Sequence, residues 1–191
     1  MDLKQYVQDA VRTESRIDEV TVNVLTLQHL LTVFVAVGSM IDQIKKNTFY
    51  NKPFNTDKFD EHYRTAVEQL DFFRPIPHFS HPTDPKFKSA LKLDPRLFHA
   101  IIGAVTESVE LADALEKSIE TNTPDVVNVL EEFGDINWYE AIAIDTLGGD
   151  FEELLNRNIA KLKARFPEKF TSENAIVRDL DKERAILEGK E

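Results

Sequence analysis

The sequence predicts an all-α protein, a helical bundle of about six to seven helices, and three observations predict it. Side chains suited to capping a helix recur at regular start positions, twice followed by proline. Apolar residues recur at helical spacing, including in both long β-branched stretches. No run alternates apolar and polar residues as a half-buried strand would.

Taken in order, the first helix is expected over 2–15, in "DLKQYVQDAVRTES". A second, over 20–47, carries the most apolar run of the chain, Leu30 to Ile41. A third is expected over 57–73. Residues 74–95, "RPIPHFSHPTDPKFKSALKLDP", hold five prolines in 22 positions, which forbid a continuous helix and mark a crossover. Asp94-Pro95 starts a helix over 95–121, and Thr123-Pro124 one over 124–147. Gly148-Gly149 supplies a stop, Asp150 with Glu153 a new start for 150–166, and a last helix is expected over 172–189.

The chain, residues 1–191, is read as one all-α domain with a helix pair at 20–73, the crossover at 74–95 and a second half at 95–191. Each half offers a long helix, a break containing Asn-x-Pro (Asn51-Lys52-Pro53 and Asn122-Thr123-Pro124) and a second helix. A shift of 71 positions pairs Asp42 with Asp113, Lys46 with Lys117, Asn51 with Asn122, Pro53 with Pro124 and Glu61 with Glu132. Five identities are few, and the matching order of elements is the better argument for two degenerate helix-hairpin repeats forming one four-helix core.

Composition narrows the function. With 34 Asp+Glu against 23 Lys+Arg the net charge is −11, which argues against a surface for nucleic acid or for an anionic membrane. Cysteine is absent, so disulfides and Cys-ligated zinc are excluded, and a cytoplasmic location is expected. The N-terminus lacks the apolar core of a secretory signal, and Leu30 to Ile41 is shorter than the ~20 residues of a membrane span.

The stretch "LEEFGDINWYEAI" places carboxylates inside a helix that otherwise reads as buried. Glu132 and Asp135 are three apart, and so are Glu107 and Glu110 in "TESVEL", so each pair projects from one helix face. The short break at 121–124 makes the two helices an antiparallel hairpin. Glu110 lies about 13 residues before the break and Asp135 about 12 after it, so at ~1.5 Å rise per residue the pairs reach similar heights. Four facing carboxylates raise one another's pKa values unless cations offset them, and oxygen donors without His or Cys select Mg²⁺ or Mn²⁺, or Ca²⁺, over zinc. A lone E-x-x-E is more often a solvated face. Two at matched height, followed by a basic cluster, are much less common.

That cluster is "NRNIAKLKARFPEKF", in which Asn158, Lys161 and Arg165 share a helix face able to grip phosphate oxygens. Alone, these cations would read as ordinary partners of a helix C-terminus. Beside four acids, a partnership of metal and phosphate explains them better.

In this order the residues resemble the MazG-type all-α nucleoside triphosphate pyrophosphohydrolases of phages and bacteria. The shared pattern is E-x-x-E, a spacer, E-x-x-D, then N-x-x-K-L-x-x-R-[YF]-P, here Glu107-Ser-Val-Glu110, Glu132-Phe-Gly-Asp135 and "NIAKLKARFP". It covers about residues 97–188. The resemblance implies hydrolysis of a standard, damaged or modified (d)NTP to the monophosphate and pyrophosphate, with Mg²⁺ (or Mn²⁺) held by Glu107, Glu110, Glu132 and Asp135. It implies phosphate contacts from Asn158, Lys161 and Arg165, with Lys117 a further one, and it implies that the substrate is a nucleoside triphosphate. Relatives with one motif copy build the bundle from separate subunits, so a homodimer is expected.

The first half departs from the pattern, since the four acids fall on Ala36, Ser39, Glu61 and Arg64. On this reading "LLTVFVAVGSMI" is core, with Gly38 and Ser39 permitting close helix approach. Phe98, His99, Trp138 and Tyr139 are either core or contacts for a nucleobase; Phe49, Tyr50 and Phe54 are a pocket wall or simple packing. His78 and His81 make a weak metal pair. A Gly-rich phosphate loop and a Ser-His-Asp nucleophile are both missing. Two other functions remain open: a phosphoribosyl-ATP pyrophosphohydrolase, which the basic tail fits less well, and a non-catalytic helical module for nucleotide binding or dimerisation.

Overall fold

The computed structural model describes residues 2–73 and 87–190. The fold is all-α, with eight helices and one two-stranded ribbon among the described residues. The chain forms two compact units, Met1–Val20 with Lys92–Arg157, and Thr21–Leu91 with Asn158–Glu191. The sequence reading has one domain divided at the crossover. In the structure the first helix instead joins the second half, and the boundary falls inside a helix after Arg157. His78 and His81 lie outside the described residues.

The first unit is built on the hairpin of α4 (Pro95–Thr121) and α5 (Val126–Thr146). Asp94 caps α4 by accepting from the N–H groups of Arg96 and Leu97, with Pro95 in the first turn where its missing N–H costs nothing. Asn122 closes α4 in the left-handed conformation at φ 53°, which Asn tolerates better than most residues. The next helix starts two residues later than Thr123-Pro124 suggests. Asp125, not Thr123, accepts from the backbone N–H groups of Val127 and Asn128 at 3.1 and 3.2 Å.

Small residues hold this hairpin close: Ala100, Gly103 and Ala114 of α4 and Ala141 of α5 are all buried. α1 (Leu3–Thr13) lies on α5, with Leu3, Tyr6, Val7 and Ala10 against Trp138, Ala141, Ile144 and Phe151, the first residue of α6 (Phe151–Arg165). Trp138 Nε1–H donates to Thr13 Oγ1 at 2.8 Å, which satisfies the indole's polar end. Glu14, whose side chain is fully covered, accepts from Arg96 Nε at 2.8 and 2.9 Å, and Arg96 also reaches Asp145 at 2.7 Å. A buried carboxylate is thereby paired, which its desolvation requires.

The second unit repeats the hairpin plan with α2 (Val24–Tyr50) and α3 (Thr56–Asp71). α2 and α4 are both 27 residues long, the 71-residue shift superposes their ends, and both close on an Asn at φ 53°. Asn23 and Asn55 cap α2 and α3. β1 (Thr21–Val22) and β2 (Ser89–Ala90) pair antiparallel, a ribbon the sequence does not announce because two residues per strand carry no alternation. The helix expected over 172–189 is two: α7 (Ser172–Ile176) and α8 (Leu180–Glu188). Val177 turns extended, and Asp179 starts the new helix by accepting from the Lys182 N–H at 3.0 Å.

The apolar run of α2 is not core. Among its large side chains Leu30, Phe34, Val35, Val37 and Ile41 are exposed, whereas Ala36 is 2 % exposed. Gly38 has open space where a Cβ would stand, so it does not mark a close helix approach. By length and composition α2 is apolar enough to cross a membrane, because the helix extends well beyond Leu30 to Ile41.

Glu183 of α8 is buried beneath two cations, accepting from Arg165 at 2.8 and 2.6 Å and from Arg178 at 2.5 Å. The Arg178 and Arg165 guanidiniums pull its pKa from 4.5 down to about 2. A carboxylate depressed in the folded state stabilises fully above its ordinary pKa and loses that contribution as the pH falls towards the folded value. We expect Glu183→Gln to cost about 2–3 kcal/mol at pH 7 and progressively less between pH 5 and pH 2, read by urea unfolding of both proteins. A cost independent of pH would remove the charge from the explanation.

Candidate metal centre

The three acids that meet come from the facing helices of the α4–α5 hairpin. Glu107 lies on α4, and Glu132 and Asp135 lie one turn apart on α5. One carboxylate oxygen from each falls within 4.8 Å of the others. Their exposure is graded: Glu132 is 4 % exposed, Glu107 half-buried and Asp135 open to solvent. Glu110, the fourth acid of the sequence pattern, is exposed and outside this group of three, although its charge still acts on Glu107.

Burial and the neighbouring charges of Glu110, Asp135 and Glu132 raise the Glu107 pKa. This is the repulsion expected where like charges converge away from water. Glu132 is held in place by Asn128 Nδ2–H, which donates to its Oε1 at 2.7 Å across one helical turn. Asn128 is a positioning residue that sequence reasoning missed. Its only signal is the i, i+4 spacing to Glu132.

Two phenols stand beside the acids. The Tyr139 pKa is raised by burial and then by Glu107, Asp135 and Glu110. The Tyr6 pKa is raised by burial and then by Asp135 and Glu140. Tyr139 lies over Gly103, whose missing side chain leaves room for the ring. It also meets Trp138 and His99 edge-on, with ring centroids 4.8 and 5.4 Å away. Of the aromatic pair in "NWYEA", Tyr139 is therefore a neighbour of the acids as well as a packing group, whereas Trp138 packs against α1.

The other residues singled out from sequence are placed as follows. Lys117, on α4, donates to Asp113 at 2.5 Å in an exposed pair one turn apart. Asn158 and Lys161 belong to the second unit and are half-buried there. Arg165 is in that unit too, with its guanidinium engaged by Glu183 and lying 5.7 Å from the Phe166 ring centre. Of the first-half counterparts, Ala36 is buried, Ser39 donates to the Val35 carbonyl, Glu61 is exposed, and Arg64 donates to the Asp60 carbonyl.

Three carboxylates at this separation make a hard, anionic oxygen cage without nitrogen or sulfur donors. Such a donor set suits Mg²⁺ or Mn²⁺. No family model, curated protein or solved structure matches this chain.

Proposed function

We propose that the chain is a Mg²⁺-dependent nucleotide pyrophosphohydrolase, cleaving a standard or modified (d)NTP to the monophosphate and pyrophosphate and so serving the nucleotide pool. The observation that carries this reading is the convergence of Glu107, Glu132 and Asp135 across the α4–α5 hairpin. Like charges brought together are unfavourable by themselves, as the raised Glu107 pKa reflects, and a divalent cation offsets them. When bound, Mg²⁺ supplies charge neutralisation for the polyphosphate and a water of lowered pKa.

The chain's own groups divide the remaining work. Asn128 orients Glu132, the most buried of the acids. Glu110, exposed and outside the group of three, is the carboxylate left to accept a proton from the attacking water. Tyr6 and Tyr139 stand close enough to the acids to feel their charge. Asn158, Lys161, Arg165 and Lys117 are kept as phosphate contacts on the strength of the sequence pattern. For Arg165 that role requires it to share its guanidinium with Glu183.

The test is pyrophosphate release from a panel of standard and modified (d)NTPs with Mg²⁺, with Mn²⁺ and with chelator. Release that needs the metal is expected for one or a few of them. No release from folded protein would refute the catalytic reading.

The same reading includes a homodimer. It is supported by the apolar side chains that α2 leaves in solvent, among them Leu25, Leu30, Phe34, Val35 and Ile41, an amount that a free surface seldom carries. Light scattering at micromolar concentration should give about twice the 21.9 kDa chain mass. A monomer would remove this part, and a requirement for detergent would point instead to lipid on α2.

A further inference from the structure

The second hairpin carries a site of opposite sign. Between α2 and α3 lies a cavity of about 450 Å³, within the range of small-molecule pockets. Three lysines line it, Lys46, Lys52 and Lys58, against one aspartate, Asp42. In a chain of net charge −11, a concentration of positive charge in a concave site is unlike its surroundings.

The lysines are not all spent on internal pairs. Asp42 pairs with Lys46, and with Lys45 outside the cavity at 2.6 Å. Lys52 and Lys58 have no carboxylate partner among the described residues. The backbone fixes where both arise. Lys52 follows the left-handed Asn51, its N–H donates to the Lys46 carbonyl, and its own carbonyl accepts from Asn47 Nδ2–H at 2.9 Å. Lys58 sits in the first turn of α3, where its N–H donates to the capping Asn55.

Gln43, which also lines the cavity, has its amide Nε2 buried without a hydrogen-bond partner. Its orientation is not arbitrary, because its Oε1 accepts from the Asn55 N–H at 3.2 Å and a flipped amide would face that donor with another. That N–H is covered by the protein's own atoms, so Gln43 shapes the cavity wall and its amide N–H is no ligand contact. Gly38 adds room, since nothing lies within 4 Å of where its side chain would begin.

We propose that this cavity binds a phosphorylated small molecule directly, with Lys52 and Lys58 as the principal phosphate contacts and Lys46 completing the shell. The two hairpins thus differ in how they hold phosphate. The α4–α5 acids need a cation between protein and anion, whereas the α2–α3 lysines do not. The proposal stands independently of the pyrophosphohydrolase reading, because it invokes neither the acids nor hydrolysis.

The test is calorimetric titration of the full chain in EDTA with pyrophosphate, with AMP and with adenosine. Pyrophosphate is expected to bind the wild type and the Glu132→Gln variant alike, and to bind the Lys52→Gln/Lys58→Gln double variant at least about tenfold more weakly. AMP binding with adenosine silent would assign the phosphate to a nucleotide; pyrophosphate binding alone would assign it to inorganic or polyphosphate ligands. Both replaced lysines are exposed and free of ion pairs, so the double variant should unfold at the wild-type temperature. Absence of pyrophosphate binding by the wild type in EDTA, or equal binding by the double variant, would overturn the proposal.

Discussion

Glu132→Gln is expected to reduce metal-dependent pyrophosphate release by at least about a hundredfold while leaving the fold intact, the scale of loss seen when one preorganised electrostatic group is removed. The substitution keeps the shape of the side chain and an oxygen that can still accept from Asn128 Nδ2–H, at present 2.7 Å away. It removes one of the three charges that converge, and that sets the sign of the second readout. The raised Glu107 pKa means that ionising this cluster opposes folding, an effect absent at low pH and felt as the pH rises through the folded value. Without metal, Glu132→Gln should therefore melt at the same temperature as the wild type or higher at pH 7. Adding Mg²⁺ should raise the wild-type melting temperature by mass action and leave the variant nearly unmoved. A variant that keeps both turnover and the Mg²⁺ shift would remove Glu132 from the metal site.

Gly103→Ala is expected to destabilise the first unit by about 2–3 kcal/mol, against the usual trend. In a helix interior the exchange normally stabilises by about 0.5–1 kcal/mol. Here the added Cβ would stand 2.0 Å from Tyr139 Cε1 and 2.2 Å from its Cζ, closer than atoms can approach, so overpacking outweighs propensity. The ring's own contacts with Trp138 and His99 limit where it can move. Since Glu107 lies one turn along α4 from Gly103, displacing the ring should also weaken the Mg²⁺-induced shift in melting temperature. A double-mutant cycle decides the cause: in a Tyr139→Ala background, Gly103→Ala should cost little or stabilise. An unchanged cost there would place the strain elsewhere.

Helix ends were largely legible because capping is local. Asp94 with Pro95, and Asp150 with Glu153, mark their starts through contacts two or three residues long, and both are seen as caps. The misplaced start at Thr123 shows the limit of that reading. Two candidates, Thr123 and Asp125, compete within three residues, and only the turn taken after Asn122 selects Asp125. The break between α7 and α8 was invisible for another reason. Arg178 leaves the helical path to meet Glu183, a partner whose importance depends on Arg165 as well.

The all-α class, the two hairpins with their Asn-closed long helices, and the i, i+3 pairing of the acids were all legible in the chain before folding. Each follows from interactions within one or two helical turns, where spacing fixes geometry. Tertiary structure decided which acids converge, bringing Glu107 to Glu132 and Asp135 and leaving Glu110 outside. It also decided that Arg165 is held by Glu183, and that α2 buries Ala36 while exposing its larger neighbours. The physical reason is common to all three. Periodicity says which side chains share a helix face, whereas how far facing helices approach, and what then covers each face, depends on contacts between residues distant in the chain, such as the ring of Tyr139 seated on Gly103.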